Sequence, residues 1–187
     1  MYEMKTTVVK VPGAFRNVYL DIETEKLLKP VRRWKVTTVG VAAGGSITVI
    51  DGDDEIEVLA AAAQAIPTGS VVRYAATREF DEMVLRGRFA NARRAHLAKP
   101  TYPAMPGAEQ ITWLNLKPGY GTRNRMDVPG REIPAARNDG RWPKAMAHNL
   151  RDVAELILRD GEPDGVCVAW CYKVLNHATF AANFFHW

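Results

Sequence analysis

The chain has 187 residues, of which 47% are hydrophobic and 25% are charged, a composition that suits one soluble globular domain with a sizeable core. The formal net charge of +4 and the sequence pI of about 9.1 permit a polyanionic partner without requiring one. No apolar run is long enough for a secretory signal or a membrane span, and Cys167 and Cys171 have no second pair for a disulfide framework or zinc ribbon, so we expect a cytoplasmic, non-membrane protein with reduced core thiols.

Three β-branched runs come first and predict strands. They are NVYLDIET, WKVTTVGVAA and GSITVI, separated by Pro30 and by the pair Gly44 and Gly45. Three consecutive strands of this kind indicate an antiparallel meander. The acidic turn DGDDEIE follows, and the stretch DEIEVLAAAAQAI then predicts a helix. The residues expected on one face of that helix are Ile56, Leu59, Ala60 and Ala63.

Strands and helices then alternate along the chain. SVVRYAA predicts a short buried strand, TREFDEMVLRGRFANARRAHL a helix, QITWLNLK another strand, and MAHNLRDVAELILRDG an amphipathic helix that ends at Gly161. The order β-β-β-α-β-α-β-α predicts a single α/β domain over residues 1–187. The last stretch, DGVCVAWCYKVLNHATFAANFFHW, fits a strand or a buried helix, and its end, NFFHW, is a candidate packing element or homodimer contact.

An acidic pair, Asp21 and Glu23, interrupts the first predicted strand. Side chains alternate between the faces of a strand, so both carboxylates point the same way. The pair fits either a strand end in solvent or a divalent-cation site, because hard cations take oxygen ligands. Two further aspartates bear on this choice: Asp81 near the start of a predicted helix, and Asp152 one helical turn after His148.

The motifs around these residues resemble those of the DEDD family of 3′ to 5′ exonucleases. LDIET matches the first family motif and supplies Asp21 and Glu23. ATREFD matches the second motif and supplies Phe80 and Asp81, although Ala76 stands where the family has asparagine. This departure affects one expected substrate contact.

The third family motif exists in a tyrosine version and a histidine version, and HNLRDV is a hybrid of the two. It keeps the spacing of the tyrosine version, with Asn149, Asp152 and Val153, but has His148 at the tyrosine position. A neutral imidazole one turn from Asp152 can accept a proton from an attacking water near pH 7. His148 is therefore a candidate general base, or alternatively a surface or capping histidine.

The resemblance implies a ribonuclease H-like fold, in which a mixed sheet of a three-strand antiparallel meander plus parallel strands is flanked by helices. It implies hydrolysis of phosphodiester bonds from a 3′ end, preferably of single-stranded DNA, with two divalent cations, Mg²⁺ or Mn²⁺. The implied metal ligands are Asp21, Glu23, Asp81 and Asp152. The candidate substrate contacts are Thr24, Phe80, Asn149, Arg123 and Arg125.

A basic stretch from Lys117 to Lys144 is rich in glycine and proline and carries five arginines against three acidic residues. It predicts a segment that grips a nucleic-acid strand, in which the arginines pair with phosphates and aromatic rings stack on bases. An equally good interpretation is a solvated loop whose aromatic side chains pack onto the core. The arginines are Arg123, Arg125, Arg131, Arg137 and Arg141, and the aromatic residues in or near the stretch are Trp113, Tyr120 and Trp142.

Two other functions remain open from the sequence. A ribonuclease or oligoribonuclease of the same fold would use the same acidic residues, and recognition of a 2′-hydroxyl cannot be read from this chain. A non-catalytic nucleic-acid-binding module is the alternative of another class. The four acidic residues argue against that module, because a cluster of negative charge facing phosphates would weaken binding.

Overall fold

The computed structural model of the chain describes residues 3–25, 35–74, 112–116, 133–140, 142–161 and 165–185. Within these ranges four strands form one sheet of order β2-β1-β3-β4. Strand β1 pairs antiparallel with β2 and parallel with β3, and β3 pairs parallel with β4, so the predicted mixed sheet is present. The strands are β1 Lys5–Glu25, β2 Lys35–Asp51, β3 Val71–Tyr74 and β4 Thr112–Asn115.

Strand β2 folds back on itself. A straight strand would hold Thr38 and Asp51 about 40 Å apart, yet the Thr38 hydroxyl donates a hydrogen bond to Asp51 Oδ2 at 2.6 Å. The Gly52 amide likewise donates to the Thr37 carbonyl at 3.0 Å. These contacts put the bend at Gly44, whose φ of +61° is what a tight hairpin turn requires. The second and third predicted strands are thus two halves of β2 that lie side by side.

The N-terminal half of β1 was not predicted as a strand. Residues Lys5 to Lys10 pair with the second half of β2, whereas Tyr19 to Glu25 pair with its first half. The chain passes between the two halves of β1 through irregular register and through Gly13, whose φ is +94°. Pro12 and Gly13 mask the strand pattern in the sequence, and the alternation before them is that of an edge strand with one exposed face.

Helices cover both faces of the sheet in the described chain. Helix α1 packs on one face, where its residues join a cluster with Leu20 and Ile22 of β1. Helices α3, α4 and α5 pack on the other face, in a cluster that includes Tyr19. The result is a three-layer α/β arrangement. The helices are α1 Glu55–Ala65, α2 Ile133–Asn138, α3 Trp142–Asp160, α4 Gly165–Asn176 and α5 Ala178–Ala182, followed by a 3₁₀ turn at Asn183–Phe185.

Local sequence signals account for the ends of two helices. The Asp54 side chain caps α1 by accepting hydrogen bonds from the amides of Ile56 and Glu57 at 2.8 and 3.3 Å. Helix α3 ends at Asp160, directly before Gly161, whose φ of +68° suits a helix C-terminus. No helix in the described part of the chain combines the length and the hydropathy that a membrane span requires.

The buried face of α1 differs from the prediction. Leu59 and Ala63 are buried as expected, but Val58 and Ala62 are buried with them rather than Ile56 and Ala60. The run of alanines makes α1 apolar on several sides, so its own pattern does not determine which face meets the sheet. Val58 and Ala62 pack against the sheet instead.

The C-terminal stretch, for which strand and helix were both open, is helical. Phe185 is fully buried and Phe184 packs against the same core cluster, as the packing interpretation of NFFHW expects. Cys167 and Cys171 are buried and free, as predicted. Burial raises the pKa of the Cys171 thiol, and the neighbouring Cys167 raises it further, so the thiolate form is disfavoured.

Candidate metal site

The acidic pair of β1 faces helix α3. Leu20 and Ile22 are buried in the cluster on the α1 side, so the alternating residues Asp21 and Glu23 point to the opposite face of the sheet. Tyr19, the preceding residue of that alternation, lies in the cluster beneath α3. The two carboxylates therefore share one face, as their spacing predicts, and this face lies under a helix.

Helix α3 brings His148 and Asp152 to this face of the sheet. The imidazole Nε2 of His148 lies 3.1 Å from Asp152 Oδ2 and 3.4 Å from Glu23 Oε1. The His148 side chain is 2% exposed, while those of Glu23 and Asp152 are 13% and 18% exposed. His148 is thus a buried group shared by two partly exposed carboxylates and is not the surface or capping histidine of the alternative interpretation.

The cluster of Glu23, His148 and Asp152 fits a metal ion. One ligand atom from each residue lies within 4.8 Å of the other two. Two ligand atoms bound about 2.1 Å from one ion are separated by about 3.0 Å in octahedral and about 3.4 Å in tetrahedral geometry. The 3.1 and 3.4 Å separations at His148 Nε2 match this range. The three residues can therefore hold a cation with little rearrangement.

The Asp21 carboxylate is held beside this cluster by the neighbour of His148. The side-chain amide of Asn149 donates to Asp21 Oδ2 at 2.8 Å and to the Asp21 backbone carbonyl at 3.2 Å. Asn149 is fully buried, so it lies inside the interface between α3 and the sheet rather than on a substrate-facing surface. Its predicted role as a substrate contact does not agree with this placement.

The other predicted site residues have different outcomes. Thr24 is partly exposed at the end of β1, where it pairs with Val36. Four predicted site residues lie outside the described residues, namely Phe80, Asp81, Arg123 and Arg125. Trp142, one of the predicted stacking rings, packs against the core cluster on the α3 side.

A buried ion pair near the site was missed. Asp51, at the end of β2, is fully buried and accepts hydrogen bonds from the Thr38 hydroxyl at 2.6 Å and from Arg137 Nε at 3.2 Å. A terminal nitrogen of Arg137 also pairs with Asp53 at 2.9 Å. Thr38 pairs directly with Glu23 in the sheet, so this network lies next to the candidate site.

The prediction that Arg137 contacts phosphates is wrong for this residue. Its side chain is 9% exposed and lies between Asp51 and Asp53. Burial raises the pKa of the Asp51 carboxyl, while the Arg137 guanidinium and the Thr38 hydroxyl oppose that rise. A carboxylate in this position requires a cationic partner, and α2 supplies it.

We expect the substitution Arg137→Met to destabilise the fold by about 3 to 5 kcal/mol at about pH 8, because it leaves a buried carboxylate without its partner. Arg137 lowers the pKa of Asp51, so its removal lets burial raise that pKa further. The deficit is therefore greatest where Asp51 is ionised and shrinks as the pH falls through the raised folded-state pKa. Urea denaturation at about pH 8 and about pH 5 measures it.

The variant Arg159→Met is the matched control for this prediction. Arg159 pairs with Glu155 one turn away on α3, and its side chain is 21% exposed. Loss of such a partly exposed pair should cost less than about 1 kcal/mol. If Arg137→Met costs no more than this control, the ion pair with Asp51 does not stabilise the fold.

Comparisons of this chain with protein-family models, with curated proteins and with solved structures found no match.

Proposed function

We propose that this protein is a metal-dependent 3′ to 5′ exonuclease that hydrolyses phosphodiester bonds, preferably in single-stranded DNA. The observation that carries the proposal is the cluster of Glu23, His148 and Asp152, which joins the first and third motifs of the resemblance. The contact from Asn149 to Asp21 joins the same two motifs across 128 residues of sequence. Motif residues so distant in sequence would be expected to meet in this way at a shared active site.

The sheet offers further support. An antiparallel pair of strands continued by two parallel strands is the kind of mixed sheet that the ribonuclease H-like fold contains. In the proposal, Asp21 and Glu23 lie on the first strand of this sheet. Helix α3, which packs on the face to which they point, supplies His148 and Asp152. This is the arrangement that the resemblance implies.

In this proposal Glu23, Asp152 and Asp21 hold two divalent cations, Mg²⁺ or Mn²⁺, together with Asp81, which lies outside the described residues. Bound cations supply activation of the attacking water and stabilisation of the leaving 3′ oxygen. Nε2 of His148 cannot bind a cation and accept a proton at the same time, so in this proposal the carboxylates hold the cations and Nε2, the ring nitrogen that faces Glu23 and Asp152, accepts the proton of that water. Burial of the imidazole fixes its orientation for this transfer.

The proposal favours an enzyme over a non-catalytic binding module. Glu23 and Asp152 converge on one point, and without a cation they would repel the phosphates of a nucleic acid. The net charge of +4 is compatible with a polyanionic substrate. Arg123 and Arg125, proposed to bind that substrate, lie outside the described residues.

The test uses single-stranded and duplex DNA and RNA, each labelled at the 5′ or the 3′ end and incubated with Mn²⁺ or Mg²⁺. We expect 5′-labelled single-stranded DNA to shorten one nucleotide at a time, and 3′-labelled substrate to release its label at once. Both reactions should stop in chelator, because ligand carboxylates alone cannot activate the water. Faster cleavage of RNA would transfer the proposal to a ribonuclease of the same fold.

Internal cuts would contradict an exonuclease, and release of the 5′ label at once would contradict the 3′ to 5′ direction. Tight binding of nucleic acid without cleavage in either metal would contradict the enzyme and favour the binding module.

A further inference from the structure

Asn149 is a buried amide placed between the sheet and helix α3. It is fully buried, and its Nδ2 donates to two oxygens of one residue, Asp21 Oδ2 at 2.8 Å and the Asp21 carbonyl at 3.2 Å. A donor shared between a residue's backbone and its carboxylate restrains both the position of the strand and the rotation of the side chain. A hydrogen bond to a carboxylate is also stronger than one between neutral groups.

The oxygen of the Asn149 side-chain amide is not hydrogen-bonded in the same way. Asn149 Oδ1 is buried and accepts no hydrogen bond from the described residues. A buried acceptor without a donor is unfavourable, and a leucine, which has the same branched shape, would avoid that cost. The feature that leucine could not supply is the pair of hydrogen bonds that Nδ2 donates to Asp21.

Gly40 makes room for this amide. It pairs directly with Asp21 in the sheet, so a side chain at this position would point toward α3. A Cβ added to Gly40 would lie 2.1 Å from Asn149 Oδ1 and 2.8 Å from Val153 Cγ2. Glycine is required here by the close approach of the helix to the strand.

We infer that Asn149 is a positioning residue that orients the Asp21 carboxylate toward the cluster of Glu23, His148 and Asp152, and that Gly40 is the glycine that permits it. The inference rests on the proposed function, in which Asp21 is a metal ligand. Holding one carboxylate oxygen at Nδ2 leaves the group a single orientation in which to meet a cation. Partners that orient a ligand in this way typically contribute 10- to 100-fold in metal affinity or activity.

The test compares wild type with Asn149→Leu, which keeps the branching and the number of side-chain heavy atoms but removes the donor together with the unpaired acceptor. We expect Mn²⁺ affinity, measured by calorimetry without substrate, to fall about 10- to 100-fold, and kcat to fall by a similar factor. The melting temperature in chelator should change little, because the loss of the two Nδ2 bonds to Asp21 is offset by removal of the buried Oδ1. A purely structural asparagine would give the reverse: a lower melting temperature with unchanged affinity for Mn²⁺.

Asn17→Leu is the matched control. Asn17 Nδ2 also donates to a carboxylate, Asp160 Oδ2 at 3.1 Å, but this carboxylate lies at the far end of α3 and also pairs with Arg73. Loss of the Asn17 hydrogen bond in this variant should leave both Mn²⁺ affinity and kcat unchanged. An equal fall in both variants would overturn the inference.

A second pair of variants tests the contact from the other side. Gly40→Ala should displace the Asn149 amide and weaken Mn²⁺ binding by about the same factor as Asn149→Leu. Both changes act on one contact. The double variant Gly40→Ala with Asn149→Ala should therefore bind Mn²⁺ no more weakly than the weaker of Gly40→Ala and Asn149→Ala alone. If the loss of Mn²⁺ affinity in the double variant equals the product of the two single losses, the inference is overturned.

These measurements separate two kinds of failure. A wild-type protein that binds Mn²⁺ but cleaves no nucleic acid would refute the proposed function while the Asn149 variants still test the positioning of Asp21. Normal Mn²⁺ affinity in Asn149→Leu would refute the positioning even if the wild type is a nuclease.

Discussion

Mn²⁺ at a hundredfold excess over its dissociation constant is expected to raise the melting temperature of this protein by about 5 to 11 °C. Binding at that excess stabilises the folded state by about 2.7 kcal/mol, and each kcal/mol moves the midpoint of a chain of this size by about 2 to 4 °C. The physical reason is the convergence of Glu23, His148 and Asp152, whose ligand atoms lie within 4.8 Å of one another. Differential scanning calorimetry with Mn²⁺ and with chelator measures the shift.

The variants Glu23→Gln and Asp152→Asn should each lose this shift, because an amide oxygen carries no charge with which to hold the cation. Cleavage should fall by on the order of 10³-fold or more, since a bound metal stabilises the transition state by several kcal/mol and each 1.36 kcal/mol is a factor of ten. Glu57→Gln is the control, because Glu57 is exposed on α1, which packs on the opposite face of the sheet. If variants of Glu23 and Asp152 keep the full shift in melting temperature, these residues do not form a metal site.

Two short-range periodicities allowed much of this site to be predicted. The alternation of a strand puts Asp21 and Glu23 on one face, and the turn of a helix puts His148 and Asp152 on one side. Neither pattern states which helix covers which face of the sheet. That depends on packing between β1 and α3, whose residues are brought together across most of the chain.

The buried ion pair of Asp51 and Arg137 shows where local patterns fail. Asp51 follows a β-branched run and precedes further acidic residues, so the sequence predicts an acidic turn there, and Arg137 is one of the arginines that it offers as phosphate contacts. The two residues are 86 positions apart and meet only because the fold brings Arg137 of α2 to the end of β2. Local sequence patterns therefore do not reveal that Arg137 is the cationic partner that a buried Asp51 needs.

Gly40 is an instance in which a signal was present in the sequence. An isolated glycine inside a β-branched strand often marks a close approach of another backbone or side chain. The run TTVGVAA contains such a glycine, directly opposite Asp21 in the sheet. The identity of the approaching group, Asn149, requires the placement of α3 and was not predictable from the strand.

Loss of His148, which stands at the tyrosine position of the motif that HNLRDV resembles, is expected to have the second large effect. If His148 is the general base, His148→Ala should lose about 10² to 10⁴ in cleavage rate, the usual span for proton transfer by a positioned side chain. The same loss could follow from removing the contacts that Nε2 makes with Glu23 and Asp152 at 3.4 and 3.1 Å. Alanine alone therefore does not separate the two roles.

His148→Gln separates the two roles, because its terminal amide can reach the same two carboxylates as a donor but cannot take up a proton near neutral pH. If His148 is a general base, the glutamine variant should be as slow as the alanine variant. If His148 is purely structural, the glutamine variant should be nearly as fast as wild type.

His148→Tyr introduces the residue expected at this position of the motif and should recover part of the activity, because a phenol can orient water through its hydroxyl. Its rate should not fall at acid pH in the way that loss of a neutral imidazole requires. A metal-bound water can also titrate in this range, so the four proteins are compared in the same Mn²⁺ concentration from about pH 5 to about pH 9. Superimposable profiles with equal rates would show that His148 only joins α3 to the sheet, and that Glu23 and Asp152 act without it.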